Sequence, residues 1–370
     1  MKFFIIAGEA SGDLHGSNLV KQLKNLNPET EFAGWGGDLL IENGVKIYKH
    51  IRDLAFMGFV EVLQNLKTIQ KNFKDCKAQI LEYQPDAVIF VDYPGFNLRM
   101  AKWAKENHFR TFYFISPNVW AWKSSRVYKI RDYVDKLFVI LPFEKEFYKK
   151  YNIGVEYYGN PLVDLVNSYK PMDFKTFCDN NNLSGKPIII LMPGSRKQEI
   201  KKMLPIMVKV SNSFKDYEFV IAGAPAIDRD FYETIIGTKS DIKILFNQTY
   251  EILSHSTSGL ITSGTATLEA ALFRVPQVVC YKANAISVMI ARIIAKVKYI
   301  SLVNLILNKM AVKELIQNDF TEQTTIQELE KILANGENNV TIKNDYEKLY
   351  SILNNPDIYK SIAERIIAFN

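Results

Sequence analysis

Short apolar runs recur along the chain, each followed by a small-residue turn and then by apolar positions at helical spacing. Phe3 to Ala7 is the first, ahead of the turn Gly8-Glu9-Ala10-Ser11-Gly12-Asp13 and a helix pattern from Leu14 to Leu26. Ala87 to Val91, Thr111 to Ile115 and Lys136 to Ile140 repeat the arrangement. Strands this uniformly apolar have no solvent-facing side, so they predict a parallel sheet covered by helices on both faces. The pattern breaks between Leu165 and Lys186, at Pro171, Asn180-Asn181-Asn182 and Ser184-Gly185-Lys186-Pro187, which predicts an interdomain region. A second alternation follows, with strands at Ile188 to Leu191, Glu218 to Ile221, Gly259 to Thr262 and Gln277 to Tyr281, and a helix from about Ile200. Both halves open with strand, Gly/Ser turn and helix. The prediction is α/β: two doubly wound, Rossmann-like domains with a cleft between them, binding ligands at the carboxyl ends of their strands.

Length and composition agree with this. A chain of 370 residues suits two domains of ordinary size, and 48% hydrophobic with 23% charged residues supplies two packed cores. The net charge of +6 suits a phosphate-bearing partner or an anionic membrane surface, and is too weak to indicate nucleic acid. Cys76, Cys178, Cys280 and four scattered histidines lack metal-ligand or disulfide spacing, so no metal site and no cofactor is expected. The apolar start stops at Gly8-Glu9, which reads as a buried strand rather than a signal peptide. No apolar stretch reaches membrane-spanning length, so a cytoplasmic location is expected.

The candidate chemistry lies at the strand-to-helix turns. Ser263-Gly264-Thr265-Ala266-Thr267-Leu268-Glu269 follows a buried strand and opens a helix, where backbone amides and the helix dipole favour an anion such as a pyrophosphate. Ser263, Thr265 and Thr267 add hydroxyls, while Glu269 suits neutral hydroxyls such as a ribose. A capped helix without a ligand gives the same pattern. Pro193-Gly194-Ser195-Arg196 forms a second such turn, with Arg196 either neutralising a leaving phosphate or standing as a surface arginine. Neither turn has the spacing of a nucleotide triphosphatase phosphate loop. Glu9 occupies the place a pyrophosphate would need in the first turn, so that end suits an uncharged acceptor. Asp92, after Ala87 to Val91, is placed either to take a proton from an attacking hydroxyl or to cap the next helix. Phe59, Val62, Leu63, Leu66, Ile69 and Phe73 form a stripe edged by Lys67, Lys71, Lys74 and Lys77, and Ile286 to Val297 is similar. Such stripes either lie on an anionic bilayer or pack on their own sheet.

Taken together these segments resemble the lipid-A-disaccharide synthase family. The resemblance adds Met57-Gly58-Phe59-Val60-Glu61, Asp92-Tyr93-Pro94-Gly95-Phe96-Asn97, Ser116-Pro117-Asn118-Val119-Trp120-Ala121-Trp122, Leu141-Pro142-Phe143-Glu144 and Tyr299-Ile300-Ser301-Leu302-Val303-Asn304 to the turns above, in the family's order along nearly the whole chain. It implies a GT-B fold and an inverting, metal-independent glycosyltransferase. The implied reaction joins UDP-2,3-diacylglucosamine to 2,3-diacylglucosamine 1-phosphate (lipid X), giving the β-1,6 disaccharide 1-phosphate and UDP. It implies an acceptor and membrane-facing domain over 1–170, with 346–370 packing back on it, and a UDP-sugar domain over 171–345. Asp92 matches the family's proposed general base, with Glu9 and Ser11 beside it as catalytic candidates. Gly194, Ser195, Arg196, Ser263, Gly264, Thr265, Glu269 and Asn304 match donor-binding positions. Phe59, Leu63, Leu66 and Ile69 match a patch that contacts the inner face of the inner membrane. Where family members often carry Asp, this chain has Gly95, which argues against a carboxylate pair at Asp92. The oligomeric state is not legible; a homodimer is carried only as the commonest soluble assembly.

Overall fold

The computed structural model describes residues 1–54, 66–120, 126–237, 241–282 and 298–369. The predicted membrane-contact residues Phe59 and Leu63, and the stretch Ile286 to Val297, lie outside them. Two compact units emerge: Met1–Pro161 with Asn355–Asn370, and Leu162–Asn354. The first holds β1 (Lys2–Ala7), β2 (Glu31–Gly36), β3 (Lys46–His50), β4 (Ala87–Val91), β5 (Arg110–Phe114), β6 (Lys136–Val139) and β7 (Glu156–Tyr157) in the order β3-β2-β1-β4-β5-β6-β7. The second holds β8 (Ile188–Met192), β9 (Glu218–Gly223), β10 (Lys243–Phe246), β11 (Ser256–Thr262), β12 (Gln277–Tyr281) and β13 (Glu314–Ile316) in the order β10-β9-β8-β11-β12-β13. Neighbouring strands run parallel in both sheets.

Alternate residues of each central strand enter different cores, as a sheet buried on both faces requires. Phe4 and Ile6 of β1 pack with Val88 and Phe90 of β4 under Trp35, Phe96 and Tyr113. Phe3, Ile5 and Ala7 pack with Ile89 and Val91 on the other face, where Ile358, Tyr359, Ile362 and Ile366 of the last helix, Ile358–Phe369, join them. In β8, Ile189 and Leu191 face one core and Ile188 and Ile190 the other. The helix Asn339–Leu353 belongs to the second unit, with Tyr346 and Leu349 in its core.

Several strands escaped the apolar pattern. β2 carries two glycines, and Gly34 is required there because a Cβ would fall 1.9 Å from the carbonyl oxygen of Ile5. β3 alternates Lys46, Ile47, Tyr48, Lys49 and looks like a surface segment. The expected turn Gly8 to Asp13 is shorter than read from sequence, because the helix Ala10–Leu26 begins at Ala10 with Glu9 as its extended N-cap. Asp13, buried in that first turn, accepts backbone N–H groups from Gly37, Leu39 and Leu40 at 2.6, 3.1 and 3.3 Å. It therefore caps the short helix Asp38–Glu42 and ties it to the strand β1 turn. Removing the carboxylate in Asp13→Ala leaves these amides without their acceptor. The expected cost is about 2–3 kcal/mol, read as a fall in the denaturant midpoint with no loss of Trp35 burial in the refolded protein.

Candidate active site

The strand order reverses between β1 and β4 in the first sheet and between β8 and β11 in the second. At such a point the helices leaving the two strands go to opposite faces, so the carboxyl ends of the strands stay uncovered. The register Ala7↔Val91 sets Gly8 and Glu9 beside Asp92. The register Ile261↔Met192 likewise sets the Ser263 turn beside the Pro193 turn. Pairing of parallel strands thus assembles the sequence-predicted residues into two groups, one at each switch point.

In the first unit, Asp92 and Tyr93 are consecutive left-handed residues, with φ of 46° and 49°. Each costs about 1–3 kcal/mol for a residue other than glycine, and Tyr93 also precedes Pro94, which disfavours helical backbone. The surroundings hold this turn firmly. Asp92 N–H donates to the Phe114 carbonyl at 3.0 Å, and the Tyr93 carbonyl accepts from Asn97 N–H at 3.0 Å. The Tyr93 ring lies on Gly8 so closely that a Cβ there would be 2.2 Å from Cδ1. Burial first, then the Glu9 carboxylate, push the half-buried Asp92 carboxyl up to about 6, against a hydrogen bond from the Tyr93 backbone. The acidic neighbour that Gly95 cannot provide is supplied by Glu9 from the adjacent strand end. Its effect on Asp92 is through-space repulsion, second to burial. Glu9 and Ser11 are both exposed, and Ser11 sits in the first turn of the helix Ala10–Leu26.

Further along the same edge, Ser116 and Glu144 are buried, and Ser116 Oγ meets the Tyr148 hydroxyl at 2.5 Å. Glu144 accepts from the Ile140 and Leu141 amides at 3.2 and 2.9 Å. Burial holds its carboxyl up at about 7, with those amides and the Ser116 hydroxyl opposing the shift. No sequence argument assigned these residues a place, although they lie in the Ser116-Pro117 and Leu141-Pro142-Phe143-Glu144 segments. Trp120 packs edge-on against Phe143 at 4.9 Å, joining the two segments.

In the second unit, Gly194 takes φ 113°. A Cβ there would fall 2.7 Å from Glu199 Oε2. That oxygen accepts the Ser195 and Arg196 amides at 3.1 and 3.3 Å, and Glu199 Oε1 pairs with Arg196 Nη1 at 2.8 Å. The Pro193 turn is therefore self-capped, and Arg196, with 69% of its side chain exposed, has a carboxylate partner the sequence reading did not weigh. Only the Arg196 end of the pair is exposed, while Glu199 is half-buried against the turn.

At the companion turn, Gly264 adopts φ 150° and precedes the helix Thr265–Leu272. Gly264 and Thr265 are exposed, but the other two hydroxyls are engaged within the unit. Ser263 Oγ donates to the Ile300 carbonyl and Thr267 Oγ1 to the Gly264 carbonyl, each at 2.8 Å. Glu269 is half-buried and hydrogen-bonded to Tyr250, and burial raises its carboxyl above the usual range. Asn304 is fully buried: Nδ2 donates to the Val312 carbonyl and Glu314, and Oδ1 accepts from the Ala311 and Val312 amides. Those four bonds saturate its amide. Asn304 thus steadies Glu314, which accepts the Ile300 and Ser301 amides of the turn that anchors Ser263, and its amide has no hydrogen-bonding capacity left for a ligand.

The predicted membrane stripe is only partly in view. Leu66 opens the helix Leu66–Tyr83 and Ile69 is half-buried. Phe73, counted in that stripe, instead stacks on Phe96 at 4.4 Å, and Cys76 and Ile80 are buried in the same core. Among the described residues no helix is long and apolar enough to cross a membrane.

The Glu9–Asp92 proximity yields a direct test on the protein alone. Glu9→Gln removes a like charge, so the Asp92 carboxyl should titrate at lower pH, followed by the 13C carboxyl resonance. An unchanged titration would mean that burial alone sets the shift.

Comparison with known proteins gives these groups a context. The family model for lipid-A-disaccharide synthetase matches residues 3–366. A lipid-A-disaccharide synthase of Coxiella burnetii (strain Dugway 5J108-111) is 36% identical over 337 residues, 90% of this chain and 88% of its own length. Lipid-A-disaccharide synthase 1 of Legionella pneumophila (strain Lens) is 35% identical over 374 residues, covering 98% of this chain and 96% of its own. Among solved structures, the Staphylococcus aureus MnaA–UDP complex superposes with a TM-score of 0.71 at 14% identity, over 100% of this chain and 96% of that one. The calicheamicin glycosyltransferase CalG4 gives 0.59 at 13% identity, covering 100% and 97%. At such identities these structures establish the fold, that of GT-B glycosyltransferases and related epimerases. The match along almost the entire length, at more than a third identity to several relatives, places the chain in the lipid-A-disaccharide synthase family.

Proposed function

We propose that this protein joins UDP-2,3-diacylglucosamine to 2,3-diacylglucosamine 1-phosphate, forming the β-1,6-linked disaccharide 1-phosphate and UDP. The observation that carries the reading is the family match over residues 3–366. The switch-point groups are consistent with it. Asp92 takes the proton of the acceptor 6-hydroxyl while that oxygen attacks the donor's anomeric carbon. The bond from that carbon to the β-phosphate oxygen breaks, its electron pair leaves with UDP, and the configuration inverts. A carboxyl titrating at about 6 is ionised at neutral pH yet basic enough to assist. Glu9 and Asp92 make the first unit's edge hostile to phosphates, which suits the hydroxyl end of an acceptor. In the second unit, Gly264, Thr265 and the start of their helix suit the donor pyrophosphate. Arg196 reaches the same anion by exchanging Glu199 for it, with Gly194 and Ser195 shaping the turn.

The direct assay supplies both acylated substrates in detergent and identifies the product by mass spectrometry. A disaccharide 1-phosphate is expected. Conversion of plain UDP-N-acetylglucosamine to its 2-epimer, without any disaccharide, would instead make the protein an epimerase.

Asp92→Asn separates chemistry from binding. Turnover should fall on the order of a hundred-fold or more, with UDP affinity unchanged by calorimetry. The same variant should melt higher at pH 7. Folding raises this carboxyl from 3.8 to about 6, so the native state binds the proton more tightly and loses stability as pH rises through that window. Asparagine removes that loss, and the gain should vanish near pH 4.

We also propose that Phe59, Leu63, Leu66 and Ile69 bring the enzyme to the inner face of the inner membrane, where both substrates reside. The exposed Lys67, Lys71 and Lys74 along the adjoining helix support an anionic surface as partner. Leu63→Glu should reduce co-sedimentation with phosphatidylglycerol vesicles and leave detergent-assayed turnover intact. Equal sedimentation of both proteins would remove Leu63 from the contact.

A further inference from the structure

The carbonyl oxygen of Asp92 is held from two sides. β4 ends at Val91, so this half-buried carbonyl finds its partners outside the ladder. Tyr113, on β5 directly beside β4, donates its hydroxyl to it at 2.7 Å. Asn97, fully buried in the helix Pro94–Glu106, donates Nδ2 to it at 2.8 Å. The same Nδ2 lies 3.2 and 3.3 Å from the carbonyls of Ile6 and Val91, so Asn97 gathers the ends of β1 and β4 around the turn. Tyr113 is fully buried, tilted on Phe90 at 5.9 Å, and its hydroxyl has little freedom to move. Neither side chain touches the carboxylate of Asp92; both act on its main chain.

We propose that Tyr113 and Asn97 are positioning residues that hold Asp92 in its left-handed conformation and so aim its carboxylate out of the β1–β4 switch point. The inference rests on the reading of Asp92 as the base. Without the two donors the turn loses the hydrogen bonds that offset its strain, and Asp92 relaxes toward an extended conformation in which its side chain swings away from Glu9. Burial explains why the two residues must be polar: only groups anchored inside the core fix a main-chain atom to the tolerance that catalysis requires. Phenylalanine at 113 would fill the same volume and satisfy the hydrophobic pattern of β5 equally well. The hydroxyl is tolerated in the core because it is bonded to the Asp92 carbonyl, a bond that packing alone does not call for.

Tyr113→Phe, Asn97→Ser and Asp92→Asn are compared in the full-length protein. For Tyr113→Phe the expected kcat falls on the order of ten- to a hundred-fold, while KM for the UDP-sugar and affinity for UDP stay within two- to three-fold (roughly the scatter of such measurements). The acidic limb of the kcat–pH profile should move to lower pH, because a carboxylate turned toward water and away from Glu9 is the stronger acid. Asn97→Ser should shift the limb the same way, and it keeps the test decisive should Tyr113→Phe fold poorly. If both variants keep wild-type kcat and limb while Asp92→Asn is inactive, the positioning role is overturned and the base stands. If Asp92→Asn retains turnover, the base reading itself fails and takes this inference with it.

Discussion

Everything at the two candidate groups depends on one constraint: each sheet is built of parallel strands buried on both faces. Such strands deliver all their carboxyl ends to one edge, and covering both faces obliges the chain to reverse its direction of winding once. The reversal falls between β1 and β4 in the first sheet and between β8 and β11 in the second. At those two places the helices that follow the paired strands leave toward opposite faces of the sheet. Gly8, Glu9 and Asp92 meet there for the same topological reason that Gly194, Arg196, Ser263 and Gly264 do. The chemistry differs because the residues differ, while the geometry that gathers them is repeated.

The two edges have opposite electrostatic character. At the first, Glu9 and Asp92 raise the local negative potential, and the Asp92 carboxyl is held up at about 6 by burial and that neighbour. At the second, amides at the starts of two helices dominate, and the nearest carboxylate, Glu199, serves as an internal anion on the Ser195 and Arg196 amides. A turn that carries its own anion keeps its shape when empty. A ligand phosphate at this turn would meet a half-buried carboxylate already holding two amides and Arg196, rather than a collapsed loop. The buried amide of Asn304 and the Glu314 carboxylate make the same arrangement for the Ile300–Ser301 turn, which in its turn fixes Ser263.

The central strands were legible because burial on both faces leaves an unbroken apolar run, as in Ala87 to Val91. β2 and β3 were not, since Gly34 serves a close backbone approach and the lysines of β3 belong to an edge strand. The turn residues were legible as a class, because glycine and small hydroxyl residues between strand and helix have few other uses. Their division of labour was not. That Asp13 caps a neighbouring helix, that Ser263 and Thr267 bond within their own unit, and that Asn304 is saturated all depend on partners far along the chain. Tyr113 was invisible for a related reason: at an apolar strand position it reads as one more aromatic core residue, and only β4–β5 pairing reveals where its hydroxyl ends.

The action of the Glu9 charge on Asp92 shows most clearly how sequence neighbourhood and spatial neighbourhood diverge. Gly95 stands three places from Asp92 in sequence, yet it is exposed at the start of the following helix with nothing within 4 Å of where a Cβ would be. Glu9 is far away along the chain, but the parallel register Ala7↔Val91 brings the two strand ends level. Glu9 is the exposed N-cap of the helix Ala10–Leu26, two residues past the end of β1, so the start of that helix rather than the loop after Asp92 sets its place. Gly8, with no room for a Cβ beneath the Tyr93 ring, is the residue that allows the two ends to come this close.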